Sequence, residues 1–166
     1  MTKAVLDTSV FIAGLLTKKN ASSSAQVLSL WKAGKFLFVF SPQILEELVA
    51  KLIDKGFPEA NIKALVKVIW EIGLYIPGSY EVAMLDKTDP DDNKLLAAAL
   101  ESKADYLVTL DKKHLLPLKH YHGTRIVTPA LFVRALLNGG SGDPVRGAVA
   151  VANDNRSKDR LTRLTE

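Results

Sequence analysis

The chain has 166 residues, 48% of them hydrophobic, which is enough for a domain with a buried core. It contains no cysteine, so disulfides, thiolate zinc sites and cysteine nucleophiles are excluded. The formal net charge of +4 at pH 7 favours polyanionic partners only weakly. No apolar run approaches the roughly 20 residues that a membrane span requires. We therefore expect a protein without a membrane partner, and the composition is compatible with the reducing cytoplasm.

Short apolar runs alternate with helical stripes along the chain. The pattern predicts strands within residues 4–6, 35–41, 73–78, 105–111 and 124–129. It predicts helices from residue 10, from 22–24 to about 32, within 41–54, from about 59 to 71, within 88–104 and from 129 to 137. Three helices begin with a capping residue and a proline: Ser41-Pro42, Asp89-Pro90 and Thr128-Pro129. This alternation is typical of an α/β domain with a mainly parallel sheet covered on both faces.

The composition changes after residue 137. Residues 138–166 are rich in Gly, Asn, Asp and Arg and have no long apolar stripe. We interpret residues 1–137 as the folded domain and residues 138–166 as a flexible C-terminal tail. Three interpretations of the tail stay open: contact with RNA, folding on a partner, or disorder. The first two depend on residues near its end, namely Arg156, Lys158, Arg160, Leu161 and Arg163.

Acidic residues stand at the ends or starts of several predicted elements. In an open parallel sheet, ligands bind beyond the carboxyl ends of the strands. The acids expected at that edge come from four stretches of the chain: Asp7, then Glu46 and Glu47, then Asp89 with Asp91 and Asp92, and finally Asp111. Because the four stretches end or begin at the same edge, we expect these carboxylates to lie close together.

Each acid alone also has a purely structural interpretation. Asp7 and Asp89 suit helix N-caps, Glu46 and Glu47 lie off the apolar stripe, and Asp111 suits a turn. As a cluster, however, the carboxylates repel one another and raise one another's pKa. A hard divalent cation such as Mg²⁺ or Mn²⁺ removes this conflict and can activate a water for attack on a phosphodiester.

Four segments occur in an order that resembles a PIN domain: VLDTSVFIAGLL, SPQILEELVAKL, DPDDNKLLAAALESKADYLVTLDKKHLL and IVTPALFVRALL. The resemblance covers about residues 3–137 and is specific to the toxins of toxin–antitoxin pairs, related to VapC-type ribonucleases. It implies a three-layer α/β/α fold and a metal-dependent endoribonuclease that uses Mg²⁺ or Mn²⁺. It also implies an RNA substrate, a cognate antitoxin and a homodimer.

The resemblance carries four acids over to the catalytic metal site: Asp7, Glu47, Asp92 and Asp111. Glu47 matches the second acid better than Glu46 does. Many PIN domains place the third acid at the position of Asn93, so we assign that role to Asp92 and keep Asp89 in reserve.

Other residues near the predicted site are candidates for binding substrate. Thr109 matches a small hydroxyl that is common at such sites, whereas Ser9 stands where many relatives have asparagine. Asp111 is followed directly by Lys112, Lys113 and His114. Contact with a phosphate backbone and exposure in a solvated loop are equally good interpretations of these residues. Lys18 and Lys19, after the first helix, are similar candidates.

The sequence also admits functions of other classes. A haloacid-type hydrolase needs a second acid two residues after Asp7, where Ser9 stands, and a receiver domain needs paired acids after its first strand. Both are disfavoured. A PIN-fold binding module without catalysis, acting through RNA or a protein partner, is the remaining alternative. Its sequence support is the departure at Asn93.

Overall fold

The computed structural model describes residues 1–17 and 22–139. By its internal contacts the chain divides into two units, Met1–Val133 and Arg134–Glu166, and the second is described only as far as Gly139. The predictions for Lys18 and Lys19 and for the basic residues of the tail lie outside the described residues. The predicted domain boundary after residue 137 stays a prediction.

Six strands form one sheet in the described part of the chain, in the order β3-β2-β1-β4-β6-β5. The strands are β1 (Lys3–Leu6), β2 (Leu37–Phe40), β3 (Leu74–Tyr75), β4 (Tyr106–Val108), β5 (His120–Tyr121) and β6 (Thr124–Val127). Only β5 is antiparallel to its neighbour. The helices are α1 (Thr8–Leu16), α2 (Ser23–Lys32), α3 (Pro42–Asp54), α4 (Glu59–Ile72), α5 (Asn93–Ser102) and α6 (Pro129–Leu137). The predicted three-layer α/β/α fold with a mainly parallel sheet is confirmed.

The central strand β1 is buried on both faces, as its continuous apolar sequence predicts. Ala4, Val5 and Leu6 have no exposed surface. Helices on each face of a parallel sheet exclude water, so both sides of such a strand become apolar. On one side Phe11 of α1 packs against Phe38 of β2, with ring centroids 5.0 Å apart. This packing holds α1, which directly follows Asp7, against the sheet.

Helix starts follow the predicted capping pattern in three cases and depart from it in one. Ser22, Ser41 and Thr128 each accept a hydrogen bond from the backbone N–H three residues later, at 3.1–3.3 Å. Within the described residues, the Asp89 side chain accepts no capping hydrogen bond. Instead, Pro90–Asp92 form a short 3₁₀ turn and α5 begins at Asn93. The predicted cap at Asp89 is therefore wrong, which leaves its carboxylate available for other contacts.

Two boundaries also differ from prediction. The strand predicted to end at Asp111 ends at Val108, because the chain turns after Thr109. His120 and Tyr121, which lie outside the strands predicted from the sequence, pair with β6 as the antiparallel edge strand β5. No helix in residues 1–17 and 22–139 is long and apolar enough to cross a membrane.

The strand register brings the carboxyl ends of four parallel strands together. Leu6 pairs with Val108, and Val108 pairs with Val127. The backbone N–H of Asp7 donates to the Val108 carbonyl at 2.9 Å, which continues the ladder by one residue. We call this edge the carboxyl rim, formed by the residues that follow the four strands: Asp7, Ser41, Thr109 and Thr128.

Candidate metal centre

Asp7 is buried at the centre of the carboxyl rim, with 6% of its surface exposed. Its Oδ1 accepts from the backbone N–H of Ser9 at 3.3 Å and caps α1. Its Oδ2 accepts from the Thr109 hydroxyl at 2.8 Å. Asp7 therefore caps α1, as its structural interpretation predicts, and its other oxygen faces the neighbouring strand end.

Thr109 joins two predicted site acids. It is fully buried, its hydroxyl donates to Asp7, and the same oxygen accepts from the backbone N–H of Asp111 at 2.9 Å. One hydroxyl thus fixes the Asp7 carboxylate and the start of the turn that carries Asp111. A positioning role fits this burial better than the contact with substrate that we predict from the sequence.

Asp111 is the centre of a turn whose amides point at its carboxylate. Backbone N–H groups of Lys113, His114 and Leu115 donate to it at 2.9–3.2 Å. Partial burial acts to raise the pKa of Asp111, but these three donors and the neighbouring His114 outweigh it and lower that pKa. The turn interpretation is correct, and the same turn keeps Asp111 ionised at the rim.

Asp89 reaches the site from the segment before α5. Its Oδ2 lies 3.5 Å from His114 Nδ1, which lies 3.9 Å from Asp111 Oδ2. Asp89, Asp111 and His114 each offer one atom able to bind a metal ion, and these atoms lie within 4.8 Å of one another. The reserve candidate for the third acid is thus at the site.

Asp92 lies among the other acids. Burial raises its pKa, and the charges of Asp7 and Asp89, a hydrogen bond with Asp89 and the charge of Asp111 raise it further, to about 7. Near neutral pH, a proton on Asp92 or a nearby cation reduces the repulsion among these carboxylates. The charges of the neighbouring acids therefore act on the Asp92 carboxylate, and these acids are Asp7, Asp89 and Asp111.

Glu47 is held differently, by two lysines. Lys51 Nζ lies 3.1 Å from its Oε1, and Lys94 Nζ lies 3.2 Å from its Oε2. None of the described residues donates a hydrogen bond to the buried Oε2, so the Lys94 ammonium is close but poorly directed. Lys51 also donates to the Thr8 hydroxyl at 2.9 Å, which connects Glu47 to the strand end that carries Asp7.

Sequence reasoning missed both lysines. Glu47 and Lys51 are four residues apart on α3, a spacing that places side chains side by side and was visible in the sequence. Lys94, on α5, meets Glu47 only through the packing of α3 against α5, which no local pattern predicts.

Asn93 stands where many PIN domains have an acid, and its side chain makes two hydrogen bonds within the structure. Its Oδ1 accepts from the backbone N–H of Leu85 at 2.9 Å, and its Nδ2 donates to Asp86 Oδ1 at 2.7 Å. The amide uses both its donor and its acceptor, which a carboxylate cannot do. Asn93 thereby anchors the segment that leads to Asp89.

The remaining predicted residues lie at the surface. Lys112 and Lys113 are exposed directly after Asp111, and contact with a phosphate backbone stays a prediction for them. Glu46 is exposed whereas Glu47 is largely buried, which agrees with the choice of Glu47. His120 and His122 are exposed as well.

The donor chemistry of the rim fits a hard divalent cation. Carboxylate oxygens predominate, and cysteine is absent from the chain. Mg²⁺ and Mn²⁺ prefer oxygen ligands, and the raised pKa of Asp92 reflects its burial together with the charges of the neighbouring acids.

The fold and the rim define a three-layer α/β/α protein with clustered carboxylates beyond its parallel strands. A family model described as the PIN domain matches residues 3–113, a range that includes all four predicted acids. The chain belongs to the PIN domain family. Membership of this family suggests a nuclease, and so a hydrolase, as the class of activity.

One solved structure supports the fold independently. The chain is similar to VapBC2 from Rickettsia felis. The crystal structure of VapBC2 was solved with a bound DNA fragment from the VapBC2 promoter. The two share 16% identity with a TM-score of 0.53, over 76% of this chain and 98% of the other. No curated protein matches the sequence significantly.

Proposed function

We propose that this protein is a metal-dependent endoribonuclease that hydrolyses RNA phosphodiesters with Mg²⁺ or Mn²⁺. The observation that carries the proposal is the crowding of Asp7, Asp89, Asp92 and Asp111 at one rim of a PIN domain. Like charges at such distances oppose folding, so a fold selected for stability alone gains nothing from them. A cation bound between them turns the repulsion into affinity.

In this proposal Asp7, Asp92 and Asp111 hold the cation, and Glu47 completes the set or orients the attacking water. Asp89 lies close enough to Asp111 to share the role of Asp92. A bound divalent cation supplies Lewis acidity at the phosphodiester and activates water.

The chain's own residues supply the positions. Thr109 holds Asp7 and the turn of Asp111 in place, and the amides of that turn keep Asp111 ionised. The exposed Lys112 and Lys113 are proposed to meet the phosphate backbone.

The biological role is proposed on the same basis. The PIN domain supports a nuclease, and the likeness to VapBC2 supports a toxin that pairs with a cognate antitoxin. RNA as the substrate, a homodimer and a cytoplasmic location are further parts of the proposal and rest on the sequence resemblance.

One observation favours the alternative of a binding module without catalysis. Glu47 is neutralised by Lys51 and Lys94, so one of the four predicted acids is already paired with cations. A module of this kind would bind RNA or a protein partner without cutting RNA.

The test is a cleavage assay with structured and single-stranded RNA in Mg²⁺, Mn²⁺ or EDTA. Asp7→Asn and Asp111→Asn are expected to lower the cleavage rate about 10²- to 10³-fold, because several kcal/mol of charge stabilisation depend on the cation. Asp105→Asn is the matched control, because Asp105 lies at the opposite end of β4 and accepts from the Lys3 amide. Cleavage that persists in EDTA, or in both rim variants, contradicts the proposal. RNA binding without any metal-dependent cleavage favours the binding module.

A further inference from the structure

Lys51 is placed unlike an ordinary surface lysine. It lies one turn after Glu47 on α3, and its ammonium is shared between Glu47 Oε1 at 3.1 Å and the Thr8 hydroxyl at 2.9 Å. Thr8 directly follows Asp7, so the ammonium lies next to the acids of the carboxyl rim. About half of the side chain, 46%, remains exposed, so the charge is accessible from solvent.

Lys51 carries a positive charge at neutral pH, as lysine side chains ordinarily do. An ammonium has three N–H donors. Glu47 and Thr8 accept from two of them, and the third has no acceptor among the described residues.

The charge of Lys51 is also not cancelled by Glu47. Lys94 lies 3.2 Å from the same carboxylate, with 23% of its side chain exposed. Counted against Glu47 alone, the two ammoniums leave one positive charge in excess, and this excess lies beside Asp7. Purely structural pairing would need only one lysine for one glutamate.

A comparison within the chain separates this arrangement from an ordinary helix ion pair. Lys63 and Glu59 have the same four-residue spacing on α4 and lie 3.0 Å apart, with side chains 76% and 82% exposed. Such exposed pairs contribute little to stability. Lys51 differs because a second acceptor, from another element, holds its ammonium at the rim.

A rim of carboxylates repels a polyanion, because each phosphate brings a negative charge close to several negatively charged side chains. A positive charge held beside those acids lowers this repulsion where the backbone must approach. Lysine serves as such a point charge for phosphate.

We propose that Lys51 binds the phosphate backbone of single-stranded RNA at the carboxyl rim, as a substrate-binding residue of the proposed nuclease. The inference rests on that function and adds a residue to it. Lys94 assists by sharing the charge of Glu47, which leaves the ammonium of Lys51 available to the phosphate.

The experiment compares Lys51→Met, Lys51→Arg and the control Lys63→Met. Binding of a fluorescein-labelled single-stranded RNA of mixed sequence is measured by anisotropy in EDTA, where no metal-dependent cleavage occurs. Binding of Mn²⁺ is measured separately by electron paramagnetic resonance, and cleavage is measured with Mn²⁺.

We expect Lys51→Met to weaken RNA binding about five- to tenfold at low salt. The slope of log affinity against log salt should fall by about 0.7, the value for one phosphate contact on a single strand. Lys51→Arg should keep most of the affinity and Lys63→Met all of it. Mn²⁺ affinity should stay equal or rise in Lys51→Met, because a positive charge beside the acids has been removed.

Two results overturn the inference. One is an unchanged RNA affinity and salt slope in Lys51→Met while the wild-type protein cleaves RNA. The other is a parallel loss of RNA and Mn²⁺ affinity, which is the signature of a lysine that only maintains the structure. If the wild-type protein binds RNA through Lys51 but cleaves none with any metal, the proposed nuclease fails and the phosphate contact is supported.

Discussion

Asp7 and Asp111 on one side of the carboxyl rim, and Glu47 on the other, are held by different kinds of donor. The first two receive hydrogen bonds from the Thr109 hydroxyl and from backbone amides. Glu47 instead faces the ammoniums of Lys51 and Lys94. Neutral donors fix the position of a carboxylate and leave its charge for an incoming cation, whereas ammoniums cancel that charge.

Asp92 differs from both, because burial and the charges of neighbouring acids act on its carboxylate. The pKa of Asp92 rises to about 7, first through burial and then through the neighbouring charges of Asp7, Asp89 and Asp111. We propose that the side with neutral donors, at Asp7 and Asp111, binds a cation. The side with ammoniums, at Glu47, would receive an anion.

Apart from the acids themselves, the largest effect is expected on the neutral-donor side, at Thr109. Thr109→Val keeps the shape of the side chain but removes the hydroxyl that serves both Asp7 and the Asp111 amide. We expect Mn²⁺ affinity and cleavage to fall about 10- to 100-fold, as for other residues that orient metal ligands. The free energy of unfolding should fall by about 2 kcal/mol, because a buried carboxylate and an amide lose a partner. Mn²⁺ titration and urea unfolding measure the two quantities.

Two variants serve as controls for Thr109. Thr109→Ser keeps the hydroxyl and should keep Mn²⁺ affinity. Thr124→Val removes an equally buried hydroxyl, bonded to the Ala104 carbonyl at 2.7 Å, and should cost stability alone. Wild-type Mn²⁺ affinity in Thr109→Val would show that the neutral donors do not organise the site.

A smaller effect is expected from Asp92, as a dependence of stability on pH. In metal-free protein the folded state holds a proton on Asp92 up to about pH 7, whereas the unfolded chain releases it near the ordinary aspartate pKa of 3.8. The folded state therefore binds more protons across this window, and the free energy of unfolding falls as pH rises through it. Because Asp92 is only partly buried, we reduce the nominal effect for solvent screening to about 1–2 kcal/mol.

Asp92→Asn measures this contribution, because the amide cannot ionise. In EDTA the variant should be more stable than wild type, and its advantage should grow between pH 5 and pH 8 in urea unfolding. Asp91→Asn, at an exposed position in the same turn, should show no such trend. With Mn²⁺ present the order should reverse, since the cation needs the carboxylate. An advantage that is constant across this range would mean that Asp92 is not crowded by charge.

The smallest effect is expected at Asn93, which anchors the segment between the two sides. Asn93→Ala removes the bonds to the Leu85 amide and to Asp86 and should lower the free energy of unfolding by about 1 kcal/mol. Hydrogen exchange of the Leu85 amide should become faster, and cleavage should fall only a few-fold. Asn61→Ala, exposed on α4, is the control.

Asn93→Asp asks a further question at the same position. It places an acid where many PIN domains have one, but it loses the donor to Asp86 and adds a like charge beside it. We expect it to resemble Asn93→Ala in stability and to bind Mn²⁺ no better than wild type. A clear gain in Mn²⁺ affinity would instead assign the third acid to position 93.

The parts of the site that follow strand ends could be predicted from sequence. Asp7 and Asp111 follow apolar runs, and parallel strands bring their carboxyl ends to one edge, so their proximity needs only the correct fold class. Thr109 was visible for the same reason. Its burial was not, because that depends on how tightly β4 packs between β1 and β6.

Contacts between distant segments could not be predicted in this way. Asp89 was expected to cap a helix, a local role, but its carboxylate faces His114 across the site. The pairing of Glu47 with Lys94 likewise depends on the approach of α3 and α5. Local patterns determine which element a residue joins, whereas such pairings depend on tertiary geometry that one sequence does not encode in any short window.

Asp7 caps α1 and also brings a carboxylate to the rim, so substitutions at position 7 change two properties at once. Position 7 has to cap α1, which asparagine also does well, and replacing a cap by alanine costs about 1 kcal/mol in its own right. An alanine there would mix the fraying of a helix with the loss of a charge. The difference between asparagine and aspartate at position 7 isolates the charge, and the difference between alanine and asparagine isolates the cap.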